Sequence, residues 1–178
     1  MALRIDASLA PGLQHLELVG VEGRPANIAG LPVVHVDSAP SPASSPAPQR
    51  TGFTLDVTGV DHVVVLADDV RATCAEIERA SAAPLKRVKE GERGVQGFHR
   101  FGSVILEVVE RRLVDPEQRS PRATYWGFVV TVADLDAAVA HLGPDVIGAE
   151  KPAVQPGRRI ATVRSGAGLG VPLALMSR

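Results

Sequence analysis

Apolar and polar positions follow one order twice along this chain. The first copy opens with Asp61-His62-Val63-Val64-Val65-Leu66-Ala67-Asp68-Asp69. This is an apolar run of strand length with a histidine near its start and two aspartates at its end. Asp68 is placed to cap a helix. Val70, Cys74 and Ile77 then fall at i, i+4 and i+7, one apolar helical face. Residues 85–88 predict a short strand, and Gly91 and Gly94 bracket a loop. Residues 95–101 and 104–109 predict a hairpin turning at Gly102-Ser103. The order is β-α-β-β-β.

The second copy begins at Tyr125 and runs through Trp126-Gly127-Phe128-Val129-Val130-Thr131-Val132-Ala133-Asp134. Asp134 caps a helix whose apolar positions are Leu135, Val139 and Leu142, and Gly143-Pro144 stops it. Residues 146–147 predict a short strand, and residues 159–164 and 171–176 the last hairpin. Aligning the halves through Asp69 and Asp134 sets His62 against Gly127; aligning the closing strands sets Glu107 against Ala174. A self-similar order of elements is evidence of architecture. Each half would bury one face of a sheet under its helix, and the halves can join around a shared cavity.

The flanking segments read differently. Residues 1–37 hold two apolar runs, 16–21 and 31–36, with Gly23, Pro25 and Gly30 between them, which predicts a β-hairpin. Pro32 places the second run at a strand start or a sheet edge. Residues 38–50 are rich in Pro, Ser and Ala and predict an extended linker. An alternating strand is expected from Phe53 to Val57. The domain proper is 51–178, with modules at about 57–110 and 125–178. Residues 111–124 are charged, contain Pro116 and Pro121, and predict a surface connection.

Composition removes several classes of function. A net charge of −1 and 3% aromatics give neither a field nor stacking platforms for nucleic acid. No apolar run approaches the ~20 residues that span a bilayer, and no basic-then-apolar leader opens the chain. The single cysteine, Cys74, excludes an internal disulfide and a cysteine metal cluster and fits a reducing cytoplasm. The Ala, Arg, Gly and Pro content suggests a bacterial source.

Polar residues inside apolar strands are the candidates for chemistry. By alternation Glu107 shares a face with Ile105 and Val109, while Leu106 and Val108 take the other. A carboxylate buried there needs a partner or a raised pKa, and it could remove a proton beside a carbonyl. The bland alternative is a rim ion pair. His62 could be a ligand, a base, a hydrogen-bonder in a pocket, or an inert strand-edge residue. Gln96, Phe98 and Arg100 share a face. Arg100, Arg158 and Arg159 could hold a carboxylate or phosphate, or be solvated. Trp126 or Tyr125 could line the cavity or belong to the core.

The duplicated order, opened by Asp61-His62-Val63-Val64-Val65 and closed in its first half by Ile105-Leu106-Glu107-Val108-Val109, resembles the vicinal oxygen chelate superfamily. This is the glyoxalase, bleomycin-resistance and extradiol dioxygenase group. The resemblance covers about residues 57–178 and implies an α+β fold, two βαβββ modules forming a curved sheet around a cavity. It implies a divalent metal (Zn, Ni, Mn or Fe) held by the first and last strands of each module, hence by His62 and Glu107 here. Gly127 and Ala174 occupy the matching positions of the second module and carry no ligating side chain. A catalytic metal wants about three protein ligands; Gln96, His99 and His141 are the candidates for a third. A site without metal is the equal alternative.

The expectation is a cytoplasmic glyoxalase-like protein holding a small organic ligand between the modules, as a monomer or a homodimer. As a lyase or isomerase it would use Glu107 as base and His62 to orient or polarise the substrate. Gln96, Arg100, Trp126 and Arg159 would contact the ligand. The alternative is a non-catalytic protein that sequesters an antibiotic or metabolite.

Overall fold

The computed structural model describes residues 12–19, 25–37, 55–92 and 94–178. Three strands come first: β1 (Leu16–Val19), β2 (Asn27–Ile28) and β3 (Leu31–Val36). The first half is β4 (Val57–Ala67), α1 (Val70–Ser81), β5 (Leu85–Gly91), β6 (Gly94–Phe101) and β7 (Val104–Glu110). The second is β8 (Thr124–Val132), α2 (Leu135–Leu142), β9 (Lys151–Pro152), β10 (Arg159–Thr162) and β11 (Leu173–Met176). Both halves enter one eight-stranded sheet, ordered β5-β6-β7-β4-β8-β11-β10-β9. The class is α+β, with a duplicated order around a curved sheet.

The registers show how closely the halves correspond. β4 runs parallel to β7 with Val64 beside Glu107, and β8 runs parallel to β11 with Val129 beside Ala174. Val64 and Val129 each stand five residues before the aspartate that caps the next helix. Asp69 accepts the Ala72 N–H at 2.9 Å, and Asp134 accepts the Ala137 N–H at 2.9 Å. The first cap is therefore Asp69 and not the expected Asp68, which an arginine draws aside.

Alternation sorts the side chains of the sheet. Val63, Val65, Leu106, Val108, Phe128 and Val130 face the helices and share one core with Val70, Cys74 and Ile77 of α1 and Leu135 and Ala138 of α2. Val139 and Leu142 lie at the margin of that core. Gly97 lets α1 lie close, because a Cβ there would overlap the Cys74 sulfur. Burial pushes the Cys74 thiol up to about 11, so this cysteine packs and does not react. The face without helices carries two smaller clusters: Val64, Leu66 and Val109, and across β8, Val129, Ala174 and Met176.

Three expectations change. The two N-terminal runs do pair, but in parallel, Leu16 beside Val33. The antiparallel turn joins β2 to β3 through Ala29 and Gly30, both at positive φ, a pairing suited to a two-residue hairpin. β3 offers its two edges to β2 and β1, and β2 has taken the antiparallel one. Ile28, Leu31 and Val33 then reach the main core. β4 also runs unbroken from Val57, where two strands were expected; residues 53–54 and the linker 38–50 lie outside the described residues. Finally, Ile147 makes only a single bridge to Val163, and β9 forms later.

The connection after β7 is charged but not all on the surface. The Arg111 side chain is 1% exposed and every N–H is used. Nε donates to Asp68 at 2.7 Å, Nη1 to Gln118 and Thr124, and Nη2 to the carbonyls of Leu66 and Arg122. It ties the ends of β4 and β7 to the start of β8. Removing it strands buried acceptors, each costing about 1–3 kcal/mol. Arg111→Met should therefore lose about 3 kcal/mol or more, read as a lowered urea midpoint, whereas Arg112→Met, on the surface, should leave it unchanged.

Candidate functional site

The helix-free face of the first half gathers the polar groups. β4 pairs with β8 antiparallel, and the register slips between Val60 and His62, opposite Val130 and Val129. Asp61 is the extra residue of that bulge. A bulge re-aims side chains: Val60 packs on the helix side while His62 turns to the open face. Asp61 stays beside His62 and does not alternate away from it. His62 Nδ1 lies 2.8 Å from Asp61 Oδ2, and Nε2 lies 3.6 Å from Glu107 Oε2. Gln96 donates to Glu107 Oε1 at 3.0 Å from the neighbouring strand.

Asp61 has a second partner from the other half. Arg158 Nη1 donates to Asp61 Oδ1 at 2.6 Å, and Arg158 Nε donates to the Ser177 carbonyl at 2.9 Å. The result is a chain of four side chains: Glu107, His62, Asp61 and Arg158. The first three are 16%, 14% and 11% exposed, so solvent screens them weakly. Hydrogen bonding from His62, and next from Arg158, holds the Asp61 carboxyl below the ordinary range. Burial pushes Glu107 above its ordinary range, with His62 and then Lys89 opposing. Asp61 therefore stays ionised, and Glu107 holds its proton longer than a solvated carboxyl.

The other expected residues divide. Gln96 is in the cluster. Arg100 shares the face but is exposed and donates to the Gly102 carbonyl at 3.1 Å. Trp126 sits where β8 slips against β4, between Tyr125 and Gly127, and is exposed. Arg159 is directed elsewhere: it binds Asp136 at 2.7 Å and Glu150 at 2.7 Å, beside α2. Strand alternation explains this, since Ile160 occupies the open face and its neighbour takes the other. Tyr125 donates to the Pro32 carbonyl at 2.9 Å on the helix side. Sequence reasoning gave Asp61 no role and grouped Arg158 with Arg159. The one available signal was an acid directly preceding a strand histidine.

The donor set does not suit a divalent metal. His62 Nε2 and Glu107 Oε2 face each other, but Asp61 is committed to the imidazole and a guanidinium. His99 is buried on the helix side with Nδ1 on the Ala83 carbonyl, and His141 lies in the last turn of α2. A Cβ at Gly127 would come 2.6 Å from the Pro172 oxygen, so the second half has no room for a side chain there. Among the described residues no group of three or more His, Cys, Asp or Glu side chains is arranged to hold a metal ion, and about three ligands are needed. Elsewhere, a hollow of about 330 Å³ lies between Gly30, the start of α1 and residues 120–123. Its carboxylates are engaged: Asp68 by Arg111, Asp69 as the cap, and Glu76 by the Ala29 N–H at 2.8 Å.

No family model and no curated protein matches the sequence. Solved structures do. The methylmalonyl-CoA epimerase of Mycobacterium tuberculosis is 16% identical, with 71% of this chain and 92% of that chain covered and a TM-score of 0.56. A methylmalonyl-CoA epimerase in complex with methylmalonyl-CoA and NH4+ is 17% identical, with 68% and 95% covered and a TM-score of 0.57. A hypothetical protein of Bacillus halodurans is 11% identical, with 67% and 93% covered and a TM-score of 0.55. Likeness at these identities shows the fold, which is that of the vicinal oxygen chelate proteins. No helix among the described residues is long and apolar enough to cross a membrane.

Two stability predictions follow from this geometry. A carboxyl whose folded pKa is raised costs stability as pH climbs through and above its ordinary range. Glu107→Gln, which mimics the protonated acid, should match the wild type in acid and exceed it at neutral pH, read as urea midpoints across the pH range. Gly127→Ala should cost about 1–3 kcal/mol by overpacking against Pro172, measured as a lowered melting temperature.

Proposed function

We propose, for a chain with the vicinal oxygen chelate fold, that the open face between the halves binds a small carbonyl compound and moves a proton beside that carbonyl. The step is of isomerase or lyase type. Glu107 is the base and His62 the group that orients or polarises the substrate. The observation that carries this reading is the Glu107 carboxyl itself. It is pushed up by burial, steadied by Gln96 on one oxygen, and turned with the other toward His62. A carboxylate with a raised pKa is a better base near neutral pH.

Proton removal uses groups gathered on this face. Glu107 takes the proton from the carbon next to the carbonyl, and charge moves onto the carbonyl oxygen. His62, its Nδ1 held by Asp61, presents Nε2 to the same space. Reprotonation of that carbon from solvent on its opposite face inverts the centre; loss of a neighbouring leaving group would make the step a lyase. Several solved neighbours are methylmalonyl-CoA epimerases, including complexes with methylmalonyl-CoA and with 2-nitronate-propionyl-CoA. These support the reaction class for this fold, and an α-substituted thioester is the first substrate to try.

A second reading is non-catalytic sequestration of a small molecule. It is favoured by the second half, whose share of the face is Val129, Ala174, Met176 and Ile160, an apolar wall without reactive groups. Deuterium wash-in from D2O separates the two. Methylmalonyl-CoA and a panel of α-substituted thioesters and keto acids would be followed by NMR. Catalysis predicts exchange at the carbon next to the carbonyl, reduced about 100-fold or more in Glu107→Gln, and less severely in His62→Ala. Tight binding without exchange would favour sequestration.

A further inference from the structure

We propose that Arg158 is a positioning residue: reaching across from the second half, it clamps Asp61 and so fixes the His62 ring with Nε2 toward Glu107. This deepens the proton-transfer reading and rests on it. The argument begins with how Arg158 is seated. It follows the turn at 155–157, its N–H donates to the Gln155 carbonyl at 3.2 Å, and its own carbonyl accepts from Ala153 at 2.9 Å. Its Nε is spent on the Ser177 carbonyl, near the end of β11. The guanidinium thus has little freedom before it meets Asp61.

Asp61 lies 97 residues away in sequence. Its two oxygens are divided, Oδ1 to Arg158 and Oδ2 to His62 Nδ1. A carboxylate held at one oxygen can rotate; one held at both cannot. The bulge that turns Asp61 toward the open face removes it from regular strand packing, so the guanidinium supplies the missing constraint. An acid fixed against Nδ1 keeps the proton there in the neutral ring, which leaves the Nε2 lone pair toward Glu107, placed to take on the proton that Glu107 abstracts; the Nε2–H so formed then faces the charge on the carbonyl oxygen. The second half offers Gly127 and Ala174 where the first has His62 and Glu107. Its contribution is then this arginine, and the site is complete only when the halves are joined.

Long-range 1H–15N spectra of the imidazoles test this on the resting protein, with His62 assigned by loss of its signals in His62→Gln. The wild-type ring, titrated to its neutral form, should show one tautomer, protonated at Nδ1. Arg158→Met should give a mixture or the other tautomer, and Arg158→Lys should recover most of the wild-type pattern. For a substrate that exchanges, Arg158→Met should lower kcat about tenfold with little change in KM. An arginine that only ties the halves together would lower the melting temperature and leave the tautomer alone; that result overturns the proposal. If Arg158→Met does not fold, Arg158→Gln is read in the same way, and an unchanged Nδ1–H tautomer there also overturns it. Failure of the proton-transfer reading looks different: no protein, wild type included, would wash deuterium into any substrate, while the tautomer result would stand.

Discussion

β4 and β8 lie side by side and antiparallel at the centre of the sheet, and their pairing decides where everything else goes. Each is the first strand of its half, and each has the parallel closing strand of its own half on the other side. Joining two open sheets at these strands buries both inner edges and leaves short β9 and charged β5 outside. The pairing is not regular. It slips between Val57 and Gly59, between Val60 and His62, and between Val64 and Val65. Each slip adds local twist, which suits a curved sheet, and the middle one brings an acid next to a histidine on one face.

The duplication is exact in register and unequal in chemistry. Val64 beside Glu107 repeats as Val129 beside Ala174. One half supplies imidazole and carboxyl groups; the other supplies apolar walls and a guanidinium. A metal centre drawing on both halves has no counterpart in this arrangement, because Gly127 is packed against Pro172. Within this face burial raises one carboxyl, and paired donors keep another ionised.

Support for this face comes from behind it. Arg111 closes the connection between the halves with every donor satisfied. The N-terminal strands insert Ile28, Leu31 and Val33 into the helix-side core, and the Ala29 and Pro32 carbonyls accept from Ala123 and Tyr125. The solved neighbours cover about 70% of this chain and nearly all of their own. These strands precede the duplicated order and pack on the side away from His62 and Glu107.

Much of this was legible along the chain, because it depends on local periodicity. Period two in β7 puts Glu107 with Ile105 and Val109, and period 3.6 in α1 buries Val70, Cys74 and Ile77. The repeated Asp caps align the halves and with them the pairs His62 with Gly127 and Glu107 with Ala174. What alternation could not give is whatever depends on a partner strand. A bulge belongs to a pair of strands, so the side taken by Asp61 has no signature in its own sequence. The choice of Arg158 over Arg159 follows from the phase of β10 against β11, and the burial of Arg111 from three chain ends meeting at one point. Parallel pairing of β1 with β3 likewise depended on which edge β2 had already taken. Periodicity within segments carried most elements, their order and the polar candidates; which candidates meet rests on contacts between segments, because register and docking are fixed there and not within any one stretch.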